Sequence, residues 1–458
     1  MDGIVATGIL SFGGIVVETA MNVAFPTLMY EFNVSVSLVQ WLTTGYLLIL
    51  SLIIPTSSFL KRHFKTKALF ITSNLLFTLG TLLAMCAPNF WFILLGRLVQ
   101  GIGTGIALPL MFNIIVERVV PSEIGTVMGF ANLIIAIAPA VGPTMGGFIV
   151  KTFGWRIIFA VLLPLLVISL ILGAKSIEQV SSLEKLKFNW LNWIMLAISF
   201  SCLIFATNDA STYGWLSFHV LSLMAISIIA IIAFYAHSQK CNEPLIRVAV
   251  FSNWRFDLST IALMISQFSI LGLSFLIPNF AQLVLHKNAF IAGFLLLPGT
   301  TLGVILSVVG GKALDKFGAK RPILFGFTAY AVAMLLFSIF LPKIVAFLII
   351  IFFAIAIIGQ AFSSGNTLTS GLQQLPDKLN TDGNAVLNTV QQLAGALGTS
   401  IVATIVSSAR NANNVSSMEV GTMIGSRHAF VLLFILQLVA IMLNFLIFKK
   451  TKEEVKSY

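Results

Sequence analysis

The chain has 458 residues, of which 58% are hydrophobic and only 9% charged, with a mean hydropathy of +1.00. Soluble domains carry about 25% charged residues, so the composition excludes a soluble enzyme and describes an integral membrane protein with little soluble mass. The formal charge of +11 does not indicate nucleic acid, because Lys and Arg gather in loops between apolar segments.

A spanning helix needs about 20 mostly apolar residues. That measure predicts 14 spans near 4–29, 38–60, 67–87, 90–117, 123–150, 155–175, 188–208, 216–237, 256–285, 289–312, 321–341, 344–374, 382–409 and 427–448. No basic leader with a small-residue cleavage site precedes the first span, which is expected to be retained. The basic residues alternate. Lys61, Arg62, Lys65, Lys67, Arg118, Lys175, Lys185, Lys187, Lys240, Arg247, Arg255, Lys312, Lys316, Lys320, Arg321, Lys378, Lys449, Lys450, Lys452 and Lys456 fall on one side, and only Lys151, Arg156, Lys287, Lys343, Arg410 and Arg427 on the other. Cytoplasmic loops carry the Lys/Arg excess, so both termini are expected in the cytoplasm. The segment 410–426, rich in Asn and Ser, reads as one long, mobile external loop.

Span 1 holds Glu18 with roughly ten apolar or small residues on each side. A carboxylate there costs about 2.5–3.5 kcal/mol on insertion scales and is a functional hypothesis by default. A lone carboxylate at that depth suits reversible protonation. In span 4, Arg97 is the one Arg or Lys well inside a span; the bland alternative is that it snorkels to the interface. Span 5 contains Pro139, Gly142, Pro143, Gly146 and Gly147. Such residues should break a helix in water, but a membrane tolerates them where neighbours re-satisfy the backbone, and small ones let a neighbour approach closely, so a thin, kinked, tightly packed helix is expected. Between spans 10 and 11 stand Gly311, Asp315, Gly318, Lys320 and Arg321, with Asp315 placed to cap or pair with a helix end.

These stretches resemble signatures of the major facilitator superfamily. Residues 17–26 are similar to the first-helix signature of its 14-span drug–proton antiporter family, with Glu18 in the Asp position. The Gly96–Gly105 stretch resembles the fourth-helix signature, whose Arg is implicated in proton transfer. The Ala138–Gly147 stretch resembles the antiporter motif, and Gly311–Arg321 the cytoplasmic loop read as a latch between helices. The loop after span 2 departs from that pattern: Arg62 stands in the Asp position and Lys65 in the Gly position. Gln40–Tyr46, Trp155–Phe159 with Pro164, and the Gly383–Gly398 stretch fit the same family.

The resemblance implies an all-α major facilitator fold of two six-helix bundles plus two inserted helices. Phe64 aligns with Phe317, Lys67 with Lys320 and Gly142 with Gly395, an offset of 253 residues that fits halves related by an axis along the membrane normal. The expected division is 1–176 for the first bundle, 177–254 for the inserted pair with its linkers, and 255–458 for the second bundle and tail. Polar residues in apolar spans are the candidate pocket: Glu18, Asn22, Trp41, Tyr46, Gln267, Asn279, Gln282, Gln360, Asn366, Asn388 and Gln391, within a lining of the abundant Phe and Met. The interiors of spans 9 to 13 hold no acidic residue, so coupling and recognition of cations would concentrate on Glu18; Asp209 and Glu31, near span ends, read as solvated.

The leading expectation is a proton-coupled exporter of lipophilic or cationic compounds, working by alternating access in the plasma membrane, of bacterial source and monomeric. The alternative is an exporter of one dedicated metabolite, antibiotic or lipid. No Gly-x-x-x-x-Gly-Lys-Ser/Thr motif occurs, so the energy source is an ion gradient. An intramembrane enzyme would need paired catalytic groups at depth. The five His residues (63, 219, 237, 286, 428) fall in or near loops and join no cluster. The cysteines Cys86, Cys202 and Cys241 are scattered. Neither an enzyme nor a cofactor or metal is therefore expected.

Overall fold

The computed structural model describes residues 2–119, 124–179, 183, 187–241, 244–411 and 417–449. Fourteen long helices run through it. We name them α1 (Asp2–Phe32), α2 (Trp41–Ile53), α3 (Thr66–Met85), α4 (Phe90–Arg118), α5 (Ile124–Phe153), α6 (Arg156–Ser176), α7 (Trp190–Tyr213), α8 (Phe218–Lys240), α9 (Trp254–Leu283), α10 (Leu297–Phe317), α11 (Lys320–Phe340), α12 (Ala346–Leu372), α13 (Asn380–Arg410) and α14 (Met418–Ile447). Thirteen spans are long and apolar enough to cross a membrane; α5, at 30 residues, completes the set. Helices α1–α6 form one bundle and α9–α14 a second, with α7 and α8 packed on each other beside them. Both described chain ends lie on one side, here the terminal side; the other is the distal side.

Short turns reverse the chain because their residues satisfy helix ends. Asn89, Asn189, Ser217, Asn288 and Ser417 each accept a hydrogen bond from a first-turn backbone N–H, replacing a partner the helix cannot supply. Gly154, Gly214 and Gly318 take positive φ at turns, +86°, +82° and +72°, which costs glycine nothing.

Two expectations change. The second span is not one rod. Pro55 cannot donate to the ladder, and the chain tightens to a 3-10 turn over Ile54–Thr56 before Ser57–His63. By contrast, α5 is one helix through Pro139 and Pro143, as expected of a packed span. The stretch read as a loop over 410–426 is helical from Met418. Gly421, Thr422, Gly425 and Ser426 are buried, and an added Cβ at Gly425 would lie 2.7 Å from the Val406 Cα of α13. Small and polar residues lowered the hydropathy there, yet their size is what lets α14 seat on α13. Residues 412–416, Lys185, Lys450, Lys452 and Lys456 lie outside the described residues.

Glycine packing also sets the other close crossings. A Cβ at Gly80 would lie 2.5 Å from Gly96 O, and one at Gly96 2.6 Å from Gly80 O, so α3 and α4 touch backbone to backbone. In the second bundle Gly326 and Gly359 do the same for α11 and α12, at 2.6 and 2.7 Å. A Cβ at Gly142 would collide with Thr19 Oγ1 and lie 2.8 Å from Val16 O; one at Gly146 would lie 2.8 Å from Ala20 O. Gly147 and Pro143 pack on Ala289 and Gly293 of the short helix before α10. The antiporter-like stretch is thus a joint between α1 and the second bundle.

Contacts between the bundles gather on the distal side. Thr44 and Thr399 hydroxyls are 2.8 Å apart. Gln282 Nε2 donates to Val23 O at 3.0 Å, and the Phe25 and Phe275 ring centroids are 6.0 Å apart. Helix α7 wedges between α2 and α13. The Gln40 and Asn208 amides are bonded at 2.8 Å, Trp193 Nε1 donates to Leu52 O, and Thr404 donates to Thr207 O.

Gly142→Ala is expected to lower the thermal midpoint of the detergent-solubilised protein, because overpacking costs about 1–3 kcal/mol. Gly311, with nothing within 4 Å of an added Cβ, is the control. Gly311→Ala should leave the midpoint unchanged or raise it.

Candidate functional site

Arg97 is fully buried and does not snorkel. The α3–α4 glycine contact brings Thr81 beside α4, and α2 closes the other side. Arg97 Nε donates to Leu42 O at 3.0 Å and its Nη1 to Gln100 Oε1 at 2.9 Å. Gln100 Nε2 donates onward to Thr81 Oγ1 at 2.8 Å. The guanidinium stacks on the Tyr46 ring, 4.2 Å from Cζ to centroid. Every residue of this set lies on α2, α3 or α4, so one bundle holds the cation by itself.

Glu18 lies on α1 and is 6% exposed. Among the described residues its carboxylate has no hydrogen-bond or ion-pair partner. Arg97 and Glu18 attract each other through space without closing an ion pair. Breaking a closed buried pair is strongly costly; an open one can lose its negative charge to a proton with no contact to break. Packing fixes the helix levels. A Cβ at Gly14 would lie 2.7 Å from Thr104 Oγ1 and 3.0 Å from Tyr46 Oη, so Glu18, one turn further along α1, sits on the Arg97 side of Thr104. Asn22, a turn beyond, accepts from Thr43 Oγ1 at 2.9 Å. Arg97 Nη2 and Asn22 Nδ2 are buried without a hydrogen-bond partner among the described residues.

The remaining candidates divide. Tyr46 joins the site. Trp41 is half-buried and packs on Phe205 of α7, ring centroids 5.0 Å apart. Gln282 clasps α1 on the distal side. Asn366 Nδ2 donates to Gly310 O at 3.1 Å and ties α12 to α10. Asn388 bonds to Asn384 within its own helix. Asn279 Nδ2 donates to Phe275 O at 2.6 Å, while its Oδ1 is buried and unpaired. Gln267, Gln360 and Gln391 are half-buried with no hydrogen-bond partner among the described residues. Glu31 and Asp209 are paired rather than merely solvated: Glu31 accepts from Trp155 Nε1 and Arg156, and Asp209 from His219 at 2.9 Å.

The terminal-side loop departs from expectation. Asp315, Lys320 and Arg321 are exposed, and Asp315 has no partner among the described residues, so it neither caps nor pairs here. Gly311 and Gly318 leave open space. On the first bundle, where Arg62 replaces the acid, Lys61 pairs with Glu117 of α4 at 3.0 Å.

Gln100, Thr81, Thr104 and Leu42 O were not singled out as site groups from the sequence. Gln100 and Thr104, three and seven residues after Arg97, share its helix face, a signal available in the sequence; the partner on α3 was not.

A family model described as Major Facilitator Superfamily matches residues 7–399. Among curated proteins, the lincomycin resistance protein LmrB of Bacillus subtilis is 35% identical over 94% of this chain and 92% of its own length. A multidrug resistance protein B homolog of Mycobacterium tuberculosis is 28% identical over 85% of this chain and 73% of its own. Among solved structures, a D-xylose–proton symporter has a TM-score of 0.68 at 15% identity, covering 97% of this chain and 96% of its own. A POT family transporter in complex with 5-aminolevulinic acid has a TM-score of 0.72 at 12% identity, covering 98% and 97%. At such identities these structures speak for the fold alone.

Gln100→Leu removes the acceptor of Arg97 Nη1 and the donor to Thr81. It is expected to destabilise the protein by about 0.5–2 kcal/mol, read as a lower thermal midpoint in detergent. An unchanged midpoint would show that Leu42 O and Tyr46 hold Arg97 without it.

Proposed function

The chain belongs to the major facilitator superfamily, and from that premise we propose that it is a proton-driven exporter of drugs and other lipophilic or cationic compounds. The relatives named for lincomycin and multidrug resistance support this reading. The observation that carries the coupling is Glu18: a buried carboxylate near Arg97 and outside ion-pair contact with it.

In this reading the terminal side is cytoplasmic, as the Lys/Arg excess there favours, and the protein works as a monomer in the plasma membrane of a bacterium. Residues 1–176 and 255–458 are the two moving bodies and 177–254 the inserted pair. The bundles rock about a midplane site. With the outer side open, Glu18 takes a proton and substrate leaves. With the inner side open, Glu18 gives the proton to the cytoplasm and substrate binds. Arg97 stays in place on Leu42 O, Gln100 and Tyr46. The outer contacts of α5 with the second bundle, Gly147 on Ala289 and Pro143 on Gly293, are the joint that must loosen. The Gly311–Arg321 loop closes the inner side in the alternate state.

Two outcomes test this. Glu18→Gln is expected to abolish uphill transport of a lipophilic cation into inside-acid proteoliposomes while leaving the protein folded; transport at the wild-type rate would remove Glu18 from coupling. The Thr44→Cys, Thr399→Cys double variant, in a background without the native cysteines, should cross-link on oxidation, since the parent hydroxyls are 2.8 Å apart. Transport should then stop and return on reduction. Full transport by the cross-linked protein would contradict outer opening at this joint.

A further inference from the structure

The 253-residue offset lays α1 (2–32) on 255–285 and α4 (90–118) on 343–371, close to the observed α9 and α12. The two bundles can therefore be compared position by position. Glu18 falls on Leu271, Arg97 on Ile350, Gln100 on Phe353 and Thr104 on Ile357. In the reverse direction Gln267 falls on Gly14 and Gln391 on Ala138. The first bundle carries the charges. The second carries neutral amides where the first has small residues.

The amides lie at one level. The side chain of Leu271 fills the space an added Cβ at Gly395 would take, and Leu47 Cδ1 is 3.5 Å from that point. This junction joins α9, α13 and α2, and the residue before Leu47 is Tyr46 of the charged site. Gln267 and Gln391 each stand four residues to its terminal side, on the same helix faces. The α1–α9 crossing at Phe25 and Phe275 gives the depth. Glu18 is seven residues before Phe25 and Gln267 eight before Phe275, about 10 and 12 Å toward the terminal side.

Exposure singles out the amides. On the distal side Leu393–Ala396 of α13 and, Ser274 apart, Ser269–Ala281 of α9 are buried. Gln267, Gln391 and Gln392 are half-buried although their neighbours Ser266 and Leu393 are buried. Gln267 and Gln391 thus keep part of their surface open.

We propose that Gln267 and Gln391 form a paired-amide subsite, partly open and one turn from the junction of α9, α13 and α2, that recognises the hydroxyl and amide groups of the substrate and so sets specificity apart from proton coupling. Two carboxamides present donors and acceptors of either sense. They discriminate for compounds that carry hydrogen-bonding groups, because an amide left unpaired by a poor substrate loses free energy. The inference rests on the export reading and adds its preferred substrate class: polar, hydroxyl- or amide-bearing amphipaths, recognised better than bare lipophilic cations.

The test compares two probes in proteoliposomes: lincomycin, rich in hydroxyl and amide groups, and tetraphenylphosphonium, which has no hydrogen-bonding group. Gln267→Ala and Gln391→Ala are expected to raise KM for lincomycin about five- to tenfold while KM for tetraphenylphosphonium stays within about twofold. An equal rise for both compounds, or an unchanged lincomycin KM, overturns the subsite and leaves the export reading standing. Wild-type protein that moves neither compound overturns both. Labelling covers a folding defect. Gln267→Cys and Gln391→Cys, in a background free of native cysteines, should react with a maleimide more slowly in the presence of lincomycin and not of tetraphenylphosphonium. No slowing would overturn the subsite.

Discussion

Placing a full charge among hydrocarbon is the constraint on which this molecule turns. An ionised side chain at membrane depth is costly unless paired or hydrogen-bonded. The structure meets that cost for Arg97 and leaves it unmet for Glu18. Arg97 is given a carbonyl, an amide and an aromatic face. Glu18, also buried, has no such partner among the described residues. One charge is held by named partners; the other has none, and that is the group to which the proposed function gives the proton. The packing serves this asymmetry: glycines at 80 and 96 let α3 approach α4 until Thr81 reaches Gln100, and Gly14 lets α1 come against Thr104 and Tyr46.

The joint between the bundles is built of weaker material. Thr44 and Thr399, and Gln282 and Val23 O, meet through side-chain hydrogen bonds, each worth of order 1 kcal/mol in a membrane. Gly147 and Pro143 of α5 meet Ala289 and Gly293 of the second bundle through backbone contact. No ion pair among the described residues crosses between the two bundles. Contacts of this kind can be exchanged for others of equal worth, which rocking between two states requires. Helix α7 takes part on both sides, bonding α2 through Gln40 and Leu52 O and α13 through Thr404; the inserted pair is therefore not a passive filler.

Much of this was legible in the sequence because a membrane writes its rules plainly. Apolar length located the helices, and the two charges too deep to be decoration were Glu18 and Arg97. Where the reading fell short, the reason was local. Gly421 to Ser426 are too small and polar to raise hydropathy, so the start of α14 read as loop. Pro139 and Pro143 sit within one packed helix, as the membrane allows, whereas Pro55, which hydropathy does not register, turned its helix to 3-10. The partner of Gln100 lies on a different helix, and composition does not say which faces meet. Trp41, Gln282 and Asn366 looked like pocket residues because polar or aromatic side chains in apolar spans are scarce, yet each has a packing partner. Gln267 and Gln391 gained weight only when the bundles were set side by side.

The most direct measurement of the central claim is proton release on substrate binding. Purified protein in weakly buffered detergent solution near neutral pH would be mixed with lincomycin while a pH indicator is followed. If Glu18 exchanges a proton for substrate, wild type acidifies the solution on binding, and Glu18→Gln binds without acidification. Equal release from both proteins would contradict the claim that this one carboxylate couples the two fluxes.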